Sequence, residues 1–121
     1  MAFRITTHKN RGVLVLKLSG RLTYGEAAED LRDTVRELFD EGGRAFVLDL
    51  SNVSYMDSAG LGQVVATYAS ARKKHGQVVL LTPSRRSEHL LHIAKLHTVF
   101  DIFEDEAAAI EAVITEVGAP A

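Results

Sequence analysis

Hydrophobic and polar positions along this chain switch repeatedly between two periods. Strand-length segments, some continuous in apolar residues and some alternating, occupy residues 3–7, 13–19, 44–50, 77–81 and 99–103. Between them, apolar residues recur every three or four positions. Ala27, Leu31, Val35, Leu38 and Phe39 form one such stripe; Leu61, Val64, Val65 and Tyr68 form a second. Ile110, Val113, Ile114 and Val117 form another near the end. This spacing predicts helices that each lay one face on a core.

The punctuation fits. Lys9-Asn10-Arg11-Gly12 supplies a turn that makes the first two strands a hairpin. Thr23-Tyr24-Gly25-Glu26 predicts a capping box, with Thr23 as N-cap and Glu26 reaching back. Gly42-Gly43 closes the first helix, and Gly76 closes a second spanning about residues 59–75. Ser51 and Asn52 end the third strand. Pro83-Ser84 opens a helix over residues 86–95, and Asp105 caps the last one. The predicted order is β-β-α-β-α-β-α-β-α. Alternation of this kind implies an α/β fold: a mostly parallel, mixed central sheet with an N-terminal β-hairpin and about four helices. With no internal repeat or linker, residues 1–117 read as one domain and 118–121 as a frayed tail.

Composition narrows the function classes. At 121 residues the chain is long enough for a real core. A formal net charge of −2 gives no nucleic-acid footprint. Arg72-Lys73-Lys74 falls in the last turn of a predicted helix, where cations meet the negative end of the dipole; Arg85-Arg86 is too short to form a basic stripe. Cysteine is absent, so neither disulfides nor thiolate metal sites are available. No run approaches the roughly 18 apolar residues of a membrane span. Residues 13–18 are short, broken by Lys17 and unlike a signal peptide. A cytoplasmic location without membrane insertion is expected.

Candidate chemistry concentrates in residues 45–62, AFVLDLSNVSYMDSAGLG. A buried strand leads into a short loop, and Asp57-Ser58 then precedes a helix. Ser58 therefore falls near the free N–H groups of a helix start, at the carboxyl end of a strand. Ligands gather there in open α/β sheets, and negative charge is favoured. A nucleophile elbow does not fit: Met56-Asp57-Ser58-Ala59-Gly60 lacks the first glycine, and too little chain follows for a hydrolase. Gly60-Leu61-Gly62 continues to Val65 rather than a third glycine, and no acid ends the next strand, so a dinucleotide site is not expected. His89 and His92 lie three apart, with His97 beyond, but no metal-binding His-Glu motif accompanies them. No metal, cofactor or catalytic group is expected. Spacing alone leaves two readings of Asp57-Ser58 open, a helix cap or a functional site.

The motifs themselves carry a resemblance. Asp49-Leu50-Ser51-Asn52-Val53 followed by Met56-Asp57-Ser58-Ala59-Gly60-Leu61-Gly62 resembles the signature of bacterial anti-sigma factor antagonists, the small single-domain STAS proteins. Gly20-Arg21-Leu22, the Pro83-Ser84 turn, Leu96 and Val99-Phe100 also fit, so the likeness covers nearly the whole chain. It implies a STAS fold and a non-enzymatic partner switch. The unphosphorylated protein would bind an anti-sigma factor that is also a Ser/Thr kinase and so release the sigma factor. Phosphorylation at Ser58 would turn it off, and a Ser phosphatase would reset it. The implied partner surface is Thr23, Tyr24, Asp57, Ser58, Ala59, Gly60 and Leu61. The runner-up is a non-switching STAS scaffold subunit of a lipid-transport or signalling complex. Two departures stand out. Ala59 replaces a second Ser or Thr common in such proteins, and Thr23-Tyr24 stands where many carry an Asp.

Overall fold

The computed structural model describes residues 2–81 and 84–117. The chain runs β1 (Arg4–Asn10), β2 (Val13–Leu22), α1 (Glu26–Asp40), β3 (Ala45–Met56), α2 (Ser58–Lys73), β4 (Gln77–Leu81), α3 (Arg85–Ile93), a 3₁₀ turn (Leu96–Thr98), β5 (Ile102–Phe103) and α4 (Glu106–Val117). The predicted element order is observed. Pro83, the side chain of Val117 and the 118–121 tail lie outside what is described.

The five strands lie in sequence order, β1-β2-β3-β4-β5. β1 runs antiparallel to β2, and every later pairing is parallel. Strand alternation divides the core into two layers. Leu14, Leu16 and Leu18 of β2, Phe46 and Leu48 of β3, and Val78 and Leu80 of β4 meet the stripes of α1 and α2 and Leu91 of α3. On the other face, Val13, Val15, Val47, Val79 and Leu81 pack under Ala109, Ile110 and Val113 of α4. Strands covered on both sides read as continuous apolar runs, as β3 and β4 do.

Four local expectations change. The hairpin turn is only Arg11-Gly12, with φ of 54° and 83°, so Lys9 and Asn10 stay in β1. Two residues of positive φ match the twist of the flanking strands. The 23–26 capping box does not form: α1 starts at Glu26 with Gly25 as N-cap, φ 98°, and no side-chain cap. The Tyr24 N–H instead reaches across to the Asp57 carboxylate. β3 does not end at Ser51-Asn52 but continues to Met56. Its register against β2 shifts twice, between Lys17 and Ser19 and between Gly20 and Arg21. At each shift β3 carries one extra residue, which breaks the alternation without ending the strand. Finally, residues 99–103 give only the two-residue β5. Phe100 turns inward before pairing begins, with its ring edge-on to Tyr68 at 5.0 Å between centroids.

Helix ends also follow local chemistry. Gly42, at φ 97°, ends α1 with Gly42 N–H on the Phe39 carbonyl and Gly43 N–H on that of Leu38, a Schellman cap. α2 closes the same way, except that His75 takes the left-handed position at φ 61° and Gly76 N–H bonds the Ala71 carbonyl. α2 therefore ends at Lys73, two residues before the expected end near His75.

Candidate functional site

The site is the junction where β2 and β3 end side by side and each chain turns into a helix. The two extra residues in β3 bring its last residue, Met56, level with Leu22. Asp57 N–H then donates to the Leu22 carbonyl at 3.3 Å. That carbonyl also presses on α2: a Cβ placed on Gly60 would stand 2.1 Å from it. Only glycine permits this approach.

Asp57 is the N-cap of α2. One carboxylate oxygen, Oδ1, accepts from Gly60 N–H at 2.8 Å. The other, Oδ2, accepts from Tyr24 N–H at 2.9 Å, across 33 positions of sequence. One side chain therefore satisfies a helix start and clips a separate turn to it. Partial burial pushes the Asp57 pKa up, but the N–H groups of Tyr24, Gly60 and Ala59 outweigh that and hold it below the usual carboxylate range. The group is an anion at neutral pH.

Ser58 follows as the first residue of α2 and is exposed. Its hydroxyl stands at the positive end of the helix dipole, beside a carboxylate whose oxygens are both engaged. The hydroxyl is reached from solvent without unburying any core residue. Among the described residues no general base is hydrogen-bonded to it, and no group of three or more His, Cys, Asp or Glu side chains converges to hold a metal.

The structure brings the expected surface residues together but sorts them by depth. Tyr24 is 85% exposed. Thr23, Asp57 and Ala59 are half-buried. Gly60 and Leu61 are buried and support the surface from beneath. Gly62 is exposed, with open space where a side chain would go. Sequence reasoning missed the Leu22 carbonyl, for which no side chain gives a signal. It also missed Arg21, whose guanidinium lies 4.6 Å from the centre of the Tyr55 ring at the rim of the site. His89 and His92 are exposed on α3, and His92 stacks on His97 at 4.0 Å.

Comparison with known proteins agrees with this architecture. The sequence model of the STAS domain matches residues 4–109. The anti-sigma F factor antagonist of Paenibacillus polymyxa is 30% identical over 91% of this chain and 94% of its own length. The crystal structure of an anti-sigma factor antagonist from Mycobacterium paratuberculosis superposes with a TM-score of 0.80 at 23% identity, covering 93% of this chain and 94% of that one. The phosphorylated form of the Bacillus cell fate determinant SpoIIAA gives 0.72 at 25% identity, covering 93% and 99%. The family match takes in all five strands and the first turn of α4, and the chain therefore belongs to the STAS domain family.

Proposed function

We propose that this chain is a phosphorylation-switched anti-sigma factor antagonist. In its unphosphorylated form it binds a cognate anti-sigma factor that is also a Ser/Thr kinase, and the sigma factor is released. Phosphorylation of Ser58 ends that binding, and a Ser phosphatase restores it. The chain is a regulatory protein and the kinase's substrate, not an enzyme. Relatives of matching length that are antagonists support the first part of this reading. The Bacillus protein of the same fold, known in a phosphorylated form, supports the second.

The observation that carries the reading is the exposed Ser58 hydroxyl at the start of α2, next to the Asp57 anion and the protruding Tyr24. Phosphate adds about −1.5 to −2 charges there. A helix start accommodates that charge, whereas a partner already facing Asp57 is repelled by it. A hundredfold loss of affinity needs about 2.8 kcal/mol, within the range of close like-charge contact at an interface. Ala59 leaves Ser58 as the one hydroxyl in the motif's Ser-Ala pair.

Two measurements test this. Protein from the native host, analysed by intact mass with and without phosphatase, should show a phosphate that maps to Ser58. Titration calorimetry against the cognate anti-sigma factor should find Ser58→Ala close to wild type and Ser58→Asp and Ser58→Glu weaker. Label on Thr67 or Ser70 with Ser58 unmodified, or equal affinity for the Ala and acidic variants, would overturn the switch.

A further inference from the structure

Tyr24 is the most exposed large hydrophobic residue among those described, at 85%, yet its backbone lies in a turn tied by three hydrogen bonds. Leu22 O is held by Asp57 N–H, Thr23 O by Ala28 N–H at 3.2 Å, and Tyr24 N by Asp57 Oδ2 at 2.9 Å. Gly25, at φ 98°, then lets the chain leave directly into α1. An exposed aromatic ring on a fixed turn is preorganised for contact. Its two χ angles are inexpensive to order, and its backbone needs no ordering at all. Nothing in the fold itself makes use of the ring's exposure.

The tie that fixes Tyr24 is not part of its own turn. It comes from the residue next to Ser58, and from the second oxygen of a carboxylate whose first oxygen already caps α2. Helix capping alone needs one acceptor, which a Ser, Thr or Asn would provide. We infer that Asp57 is a positioning residue that holds Tyr24 as a specificity-determining contact for the partner. Ser58 modification is thereby coupled to the placement of that ring. This rests on the partner-switch reading above. A phosphate on Ser58 sets a second anion one residue from the carboxylate, and repulsion between the two pushes the Asp57 side chain away from the Tyr24 N–H it holds. Weakening the Tyr24 bond loosens the turn that presents the ring. The partner then meets a displaced anchor as well as added charge.

The test separates capping from positioning. Asp57→Ser keeps a short oxygen for Gly60 N–H but cannot also span to Tyr24. Asp57→Asn, with a single acceptor oxygen, must give up one of the two bonds and serves as the second variant. In the free full-length chain, NMR hydrogen exchange should show the Tyr24 amide opening about tenfold faster in Asp57→Ser, the loss expected of one charge-assisted hydrogen bond, while Gly60 stays protected. Against the anti-sigma factor, Asp57→Ser and Tyr24→Ala should each weaken binding about tenfold, and the double variant should be no weaker than Tyr24→Ala alone. Unchanged Tyr24 exchange in both Asp57 variants overturns the positioning role. Wild-type affinity for Tyr24→Ala overturns the contact, and additive losses overturn the coupling. A chain that binds no anti-sigma factor at all defeats the functional reading, and the exchange measurement still decides the tie.

Discussion

Ser58 and Asp57 are neighbours with opposite relations to the fold. Ser58 bears on nothing in the core, so a substitution there changes the surface first. Asp57 is built into the fold through both oxygens, and its lowered pKa is the thermodynamic mark of that. The sign follows from linkage. A carboxyl whose folded-state pKa lies below its unfolded value contributes stability that is present above the unfolded value. That contribution is lost as pH falls through the folded one. Asp57→Asn has no such proton to bind. The urea midpoint of wild type should therefore exceed that of Asp57→Asn at about pH 6, and the gap should narrow as pH falls below about 4 toward 2. A gap independent of pH would mean that the charge on Asp57 adds nothing to its hydrogen bonds. Glu106 titrates in the same direction, held low by the Asn10 and His8 side chains at the foot of α4, but it is common to both proteins and cancels in the comparison.

At the level of elements, the start of α2 is defined by contacts on one of its sides. The two glycines in its first turns look alike in sequence and do different things. Gly60 faces the Leu22 carbonyl, and a Cβ there would stand 2.1 Å away; Gly62 faces solvent with nothing within 4 Å. Neither leaves a cavity for a phosphate: the space at Gly60 is filled by backbone, and that at Gly62 is open solvent. Gly60→Ala should destabilise by about 2 kcal/mol or more, because a strand end or the helix must shift. Gly62→Ala should be neutral or stabilising by about 0.5 to 1 kcal/mol, the ordinary helix preference of alanine over glycine. Chemical denaturation of the two variants checks both. Similar losses would show that the close approach at Gly60 carries no strain. β3 has the same lesson in another form. Its two extra residues interrupt the period-two pattern, and Ser51, Asn52 and Ser54 are exposed within it. The sequence therefore reads as a strand followed by a loop.

Across the whole molecule, the exposed part of the site and the core lie on different sides of α2. Leu61 and Val64 of α2 are buried against the sheet, with Val65 and Tyr68 packed beside them, while Ser58 faces out. α4 packs on the opposite face of the sheet through its own cluster. Phosphorylation should therefore perturb the site and leave the fold in place. In amide spectra of phosphorylated and unmodified protein, shifts should be confined to residues 23–26 and 57–62. Large shifts over residues 110–117 would reveal a rearrangement transmitted through the sheet and would defeat this expectation. No helix among the described residues is long and apolar enough to cross a membrane.

Burial periodicity is a local property, and local properties survive in the sequence. The stripes of α1 and α2, the apolar runs of β3 and β4, and the caps at Gly42, Ser84 and Asp105 were legible because each depends on neighbours within a few residues. The motif around Ser58 was legible for the same reason, being contiguous. Tertiary structure alone decided what the turn at Thr23 to Gly25 does. Its residue types suit a capping box, but α1 begins at Glu26 without a side-chain cap, and the Tyr24 N–H donates to a carboxylate 33 positions away. It also decided the length of β3, since pairing with β2 through Asn52, Val53, Tyr55 and Met56 carries the strand past the turn-forming Ser51 and Asn52. Both outcomes rest on backbone groups meeting across the sheet. A carbonyl such as that of Leu22 is the same in every residue, so the chain carries no letter that announces it.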